Sequence, residues 1–346
     1  MPMIDIALFG FGTVGSGVAE IIMNNHDVRE TRGIDEINIK YILDLREFPG
    51  HPLGDRVVHD VNQIISDPDV RIVVEMMGGV RPAYDFLLAS IKAGKSAVTS
   101  NKAVVAEFGA ELLRAAEENG VFFLYEASTG GCIPIIGPLS EQSKIDRIKG
   151  IYGIINGTTN YILDKMEREK VTFDEALGSA VLNGYAEADP SADIGGFDTC
   201  RKICILASTA FGQLIDFRKV RTVGIEEITP EIVETGRRNG CETKLIGAAE
   251  LHEDGIHITC EPMYVKKECP LSFVSGVYNA VLVKGEASGE LLFYGKGAGS
   301  LPTADAVVGD IIKIIENRAC NDSWETINDF PCSSSIVFDQ ICPVFG

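Results

Sequence analysis

Eight residues, Gly10 to Gly17 (GFGTVGSG), constrain the fold of this chain more than any other stretch. They follow directly on an apolar run, 4–9, and lead into a helical pattern over 14–23. A G-x-G-x-x-G turn between a strand and a helix is the phosphate-binding turn of a parallel α/β unit. In that reading Gly10 permits the tight turn and Gly12 lets the backbone approach a pyrophosphate. Gly15 lets the helix pack close to the sheet. Thr13 and Val14 lie at the start of the helix, where unpaired N–H groups attract phosphate oxygens. The plainer alternative is a glycine-rich turn with no ligand, and the strand–helix context weighs against it.

The pattern around this turn repeats the strand–helix theme. Strands are predicted at 37–43, 71–75, 96–99 and 121–125, with helices at 83–93 and 104–118. Such alternation predicts a doubly wound parallel sheet covered on both faces, a Rossmann-type α/β domain. Asp44 ends the second strand, where a carboxylate meets a ribose 2′-hydroxyl. The segment 24–36 lengthens the connection before it. Asp44 argues for NAD, whereas Arg46 can neutralise the 2′-phosphate of NADP, so the sequence leaves both open.

The pattern changes after about residue 134. A strand at 148–155 and a helix from 159 open a helix-rich stretch to about 211. Strands are then predicted at 220–224, 244–251, 256–264 and 280–283, a mixed α+β domain. A chain of 346 residues exceeds one ordinary core, which agrees with two domains. From about 321 the tail lacks periodicity and reads as irregular.

Composition narrows the function. The net charge of −19 repels phosphate backbones, so no nucleic-acid partner is expected. No apolar run is long enough to span a membrane, and the N-terminus lacks a signal-peptide pattern. Nine cysteines without C-x-x-C spacing suit buried thiols in a reducing cytoplasm. The five histidines form no ligand cluster, which argues against a catalytic transition metal.

One segment concentrates chemistry: GYAEADPSADIGGFDTCRKICILA, 184–207. Glu187, Asp189, Asp193 and Asp198 precede Lys202, which opens an apolar run. Asp198 and Lys202 are four apart and share a helix face. On an exposed helix such a pair is worth only ~0.2–0.5 kcal/mol and says nothing of function. Two features point further. The helix is apolar nearly all round, so it is buried. A lysine at its mouth loses hydration, which tunes it for proton transfer. The remaining acids suit a substrate ammonium group. INGTTNYIL, 155–163, adds Asn156, Thr158, Thr159 and Asn160 around Gly157, more polar groups than a helix cap needs.

Six segments together resemble homoserine dehydrogenase: GFGTVGSG, VTSNKAVVA, YEASTGG, INGTTNYIL, GYAEADPSADIGGFDTCRKICILAS and FYGKGAGSLPTADAVVGDI. They stand in that family's order and spacing from about Ile4 to about Glu316. The resemblance implies reversible, nicotinamide-dependent reduction of L-aspartate 4-semialdehyde to L-homoserine, a step of threonine and methionine biosynthesis. It implies that Lys202 transfers the proton and that Lys102 of the NK segment belongs to the active site and the cofactor contacts. Asp193 and Asp198 would hold the substrate amino group and orient the lysine. Glu187, Gly157 and Thr158 would complete the substrate site, and Gly297 would join the cofactor site. A sodium-type monovalent cation is implied at Glu126, Thr129, Gly131 and Ile133. A cytoplasmic homodimer is implied too. The first domain would be discontinuous, 1–135 with 294–320, around a substrate and dimerisation domain at 136–293. Residues 321–346 would form a tail.

The chain departs from the family pattern at Cys132, where glycine is usual beside the implied cation loop. About thirty residues follow the matched core, too few for the regulatory domain of threonine-controlled members, so no threonine feedback through one is expected. Cys320, Cys332 and Cys342 raise a redox or inter-chain role, which a reducing cytoplasm disfavours. Two rivals remain: a related two-domain oxidoreductase on another small amino or oxo acid, and a dinucleotide sensor without turnover. The sensor would have no need of the Asp198–Lys202 pair.

Overall fold

Continuous apolar runs are what a sheet buried on both faces requires, and the first third of the chain folds accordingly. In this computed structural model residues 3–32, 34, 36–187, 189–326 and 336–345 are described. The first strands are β1 (Met3–Phe9), β2 (Glu36–Leu43), β3 (Val57–Val58), β4 (Val70–Glu75), β5 (Ser96–Thr99) and β6 (Phe123–Leu124). Helices α1 (Thr13–Asn24), α2 (His26–Thr31), α3 (Val61–Ile65), α4 (Ala83–Lys92) and α5 (Lys102–Glu118) connect them. The strand order is β3-β2-β1-β4-β5-β6 and every ladder is parallel. The order reverses between β1 and β4, and the crevice at that reversal is where such sheets bind ligands.

The chain divides into two compact units: Met1–Cys132 with Ala298–Glu325, and Ile133–Gly297 with Thr326–Gly346. The second holds α6 (Ile136–Ile145), β7 (Ile148–Ile154), α7 (Gly157–Glu169), α8 (Phe173–Leu182), α9 (Ser191–Ile194) and α10 (Phe197–Phe211). Then come β8 (Gln213–Leu214), β9 (Arg221–Thr222), α11 (Pro230–Arg238), β10 (Cys241–His252), β11 (Gly255–Lys266), β12 (Tyr278–Gly285) and β13 (Gly289–Lys296). Strands β13, β12, β7, β10 and β11 pair antiparallel in that order, and β9 adds to β11 in parallel. Helix α10 lies on this sheet. A Cβ on Gly247 of β10 would stand 2.9 Å from the Ile203 side chain, so only glycine admits the helix this closely. The opposite side is filled by Tyr152, Ile246, Met263, Leu271 and Phe338.

Helix α12 (Ser300–Ile315) belongs to the first unit. It packs on α1, where a Cβ at Gly17 would meet Ser300 Oγ at 2.8 Å. Val307 and Ile311 join Ile6, Leu8, Val18 and Ile22 in one core.

The fold corrects several local expectations. The strands expected at 121–125 and 220–224 shrink to Phe123–Leu124 and Arg221–Thr222. Strand β13 was not expected. It is an edge strand whose Leu292 and Tyr294 are exposed, so it lacks a buried apolar face to announce it. The tail expected to be irregular carries β14 (Glu325–Thr326) and β15 (Ile341–Pro343). Strand β15 pairs with β11, a partner that no local pattern discloses. Of the eight described cysteines, Cys200, Cys204, Cys241, Cys260 and Cys269 are buried, and Cys332 lies outside the described residues. Among the described residues no helix is long and apolar enough to cross a membrane, and no cluster of three or more His, Cys, Asp or Glu side chains is placed to hold a metal ion.

Candidate active site

In the second unit α10 starts at Gly196, in the left-handed region with φ +81°, and turns Asp198 and Lys202 inward. Lys202 Nζ lies 2.7 Å from Asp198 Oδ2, and the two side chains are 11% and 3% exposed. The surface-pair alternative therefore fails. A buried pair is a different object, since removing one partner of such a pair costs ~3–5 kcal/mol. Lys202 also donates to the Ile155 carbonyl at 2.9 Å. An ammonium has three N–H donors; these two bonds leave a third for a further acceptor.

Asn156 binds this centre together. It caps α7, accepting from Thr159 N at 2.9 Å. Its amide then donates to Asp193 Oδ1 at 2.7 Å and to Asp198 Oδ2 at 2.9 Å. One side chain thus fixes a helix start and two carboxylates. Thr158 Oγ1 donates to the Tyr185 carbonyl at 2.6 Å. Gly157 abuts the Val277 carbonyl, which a Cβ would approach to 2.8 Å. Asn160 ties down the loop before β12 through the Gly276 and Tyr278 carbonyls. Glu187 is exposed, and Asp189, just before α9, accepts from Ser191 N at 3.1 Å. Of the four acids in this segment, Asp193 and Asp198 converge on Asn156.

The first unit carries a cavity of about 520 Å³ at the sheet reversal, lined by Gly10, Gly12, Asp44, Arg46, Met76 and Gly78 among others. Gly10 has φ +92°, a conformation that favours glycine. A Cβ on Gly15 would stand 2.3 Å from the Gly10 carbonyl oxygen. At Gly12 a Cβ would meet nothing within 4 Å, so the protein's own packing does not demand glycine there. Thr13 and Val14 form the first turn of α1, whose cap makes no side-chain hydrogen bond. Asp44 is tied to the turn, accepting from Phe11 N at 2.8 Å. Arg46 grips the same carboxylate through Nε at 3.0 Å and a terminal nitrogen at 2.9 Å. That guanidinium holds the Asp44 carboxyl well below the usual carboxylate range.

Beside the cavity lies a buried network that sequence reasoning missed. Glu75, fully buried at the end of β4, accepts from Met77 N at 2.7 Å and from the Thr99 hydroxyl. Asn101 caps α5, presenting Lys102 at the first helical position, and donates to the Gly79 carbonyl at 2.7 Å. Burial pushes the Glu75 carboxyl up to about 7. Its folded pKa exceeds the unfolded one, so the stability it contributes is full below about 4.5 and is lost as pH rises through about 7. Glu75→Gln, which mimics the neutral form, is expected to gain melting temperature over the natural chain between pH 5 and 8. The differential is at most about 3 kcal/mol. A difference that does not change with pH in paired melting curves would refute this.

The residues of the implied cation site are divided. Glu126, Thr129 and Gly131 lie in the first unit, and Ile133 opens the second. Glu126 is buried and faces Lys313. Gly297 closes the main segment of the second unit, where a Cβ would collide with Asn279.

Comparison with known proteins covers both units. The family model described as homoserine dehydrogenase, NAD binding domain, matches residues 10–126, and that described as homoserine dehydrogenase matches 134–312. The homoserine dehydrogenase of Bacillus subtilis (strain 168) is 42% identical over 92% of this chain and 74% of its own length. The crystal structure of a homoserine dehydrogenase from Thiobacillus denitrificans superposes with TM-score 0.90 at 37% identity, covering 96% of this chain and 80% of that one. A hyperthermophilic archaeal homoserine dehydrogenase in complex with NADPH gives 0.79 at 28% identity, over 93% and 100%. With both halves matched in order and relatives this similar over nearly the whole chain, the protein belongs to the homoserine dehydrogenase family.

Proposed function

We propose that the Asp198–Lys202 pair is the proton-transfer centre of this homoserine dehydrogenase, and that NAD is its preferred cofactor. The observation that carries the first part is the buried 2.7 Å pair with one lysine N–H left for substrate. A bound nicotinamide supplies the hydride in one direction and accepts it in the other. In aldehyde reduction Lys202 gives a proton to the developing alkoxide oxygen; in alcohol oxidation neutral Lys202 takes the hydroxyl proton. Asp198 holds Lys202 oriented until transfer. Asp193 and Glu187 receive the substrate ammonium, and Asn156 fixes Asp193 and Asp198 at one geometry. Gly157 and Thr158, at the start of α7, offer a helix N-terminus to the substrate carboxylate. Lys102, at the first position of α5, serves the cofactor site of the first unit.

On the cofactor side, Gly10, Gly12, Thr13, Val14 and Gly15 cradle the pyrophosphate. Asp44 receives the ribose hydroxyls. The NAD preference is supported by Asp44, whose carboxylate already occupies Arg46 and repels a 2′-phosphate. Asp44→Ala frees Arg46 and is expected to move the NADP/NAD ratio of kcat/KM toward NADP by about tenfold or more. An unchanged ratio in paired steady-state assays would remove Asp44 as the determinant. We further infer a cytoplasmic homodimer associating through the second unit, for which the exposed apolar edge of β13 is the supporting feature.

A further inference from the structure

Lys313 on α12 meets both buried acids of one corner of the first unit. Its Nζ lies 3.2 Å from Glu126 Oε2 and 3.0 Å from Asp310 Oδ1. Asp310 Oδ2 in turn accepts the Glu126 N–H at 2.9 Å. Glu126 and Asp310 are 4% and 1% exposed. Glu126 is also the one carboxylate in the implied cation set; Thr129, Gly131 and Ile133 bring neutral oxygens. A buried cation among neutral oxygens needs an anionic partner to offset its lost hydration. Here that partner already has an ammonium at ion-pair distance. The Ser128 and Thr129 hydroxyls are buried without a hydrogen-bond partner. Water meets that need as well as a metal ion does. These residues therefore do not fit a resident alkali ion at Glu126.

We propose that the Lys313 ammonium stands in place of the monovalent cation, holding Glu126 and the turn that follows it, so that turnover needs neither sodium nor potassium. Lys313 is a positioning residue in this account, acting through Glu126. A cation tethered to α12 cannot dissociate into bulk solvent, so the turn is held at any salt composition. Asp310, one helical turn before it, shares the ammonium and anchors the Glu126 backbone. The arrangement joins α12 to the segment after β6 by charge as well as by packing.

The test compares sodium chloride with choline chloride at equal ionic strength, on turnover of homoserine and on melting temperature. The turnover arm rests on the proton-transfer reading above; the melting arm does not, which separates failure of one from failure of the other. The natural chain is expected to show the same rate and the same melting temperature in both salts. Lys313→Met is expected to lose about tenfold or more of its rate in choline chloride, and to melt lower, because a buried acid has lost its partner. Sodium chloride should restore both. Lys313→Arg should behave as the natural chain. A natural chain that slows about tenfold without sodium, or that melts lower without it, would overturn the proposal. So would a Lys313→Met protein that ignores sodium in both readouts. Should that variant not fold in either salt, the natural chain and Lys313→Arg decide the matter.

Discussion

Lys202→Ala is expected to cut turnover roughly 10²–10⁴-fold, the usual worth of a positioned acid–base group, with cofactor affinity close to the natural value. The expectation rests on position. Lys202 is nearly dehydrated, paired at 2.7 Å with a buried carboxylate and held by the Ile155 carbonyl. Removing it also takes the cationic partner from buried Asp198, which costs ~3–5 kcal/mol of stability. The alanine variant alone therefore mixes two effects. Lys202→Arg separates them, because a guanidinium keeps the ion pair and does not give up its proton near neutral pH. The arginine variant should keep most of the stability and still be slow in homoserine oxidation. Steady-state rates beside melting curves and cofactor titrations check this. A fast arginine variant would show that charge, not proton transfer, is what position 202 supplies.

Gly15→Val is expected to weaken cofactor binding by about tenfold to a hundredfold and to lower the melting temperature. The first atom of the new side chain falls 2.3 Å from the Gly10 carbonyl oxygen, far inside van der Waals contact. Either α1 moves away from the sheet or the turn opens, and overpacking of this kind costs about 1–3 kcal/mol. Gly12→Ala is the informative partner. Nothing in the protein stands within 4 Å of that Cβ, so the melting temperature should hold while cofactor affinity falls. Titration of intrinsic fluorescence with NAD reads both. If Gly15→Val binds NAD normally, the turn is not the phosphate cradle.

Residues close in sequence were the legible ones. The strand–turn–helix at Gly10–Gly17 declares itself because each glycine answers a local demand. The Asp198–Lys202 pair was visible as a spacing, but its meaning depended on burial, which the apolar surroundings of α10 supplied. What escaped notice was set by distant partners. Asn156 looked like a cap and is one; its second task, bridging Asp193 and Asp198, requires a segment some 40 residues on to fold back. Glu75 reads as the polar end of a strand, and only the folded sheet buries it against Thr99 and Met77. Lys313 reaches Glu126 across 187 positions, a pairing that periodicity cannot express. Strand β15 is hidden for the same reason.

The proposed reaction is oxidation of homoserine by proton transfer at Lys202 with a nicotinamide cofactor. The most direct measurement is the growth of reduced-nicotinamide absorbance with L-homoserine at alkaline pH, in parallel with L-serine and L-threonine and with NAD and NADP. The expected result is reduction with homoserine alone, faster with NAD than with NADP. Measurable cofactor binding without homoserine-dependent reduction would contradict the account and leave a dinucleotide-binding protein that does not turn over this substrate.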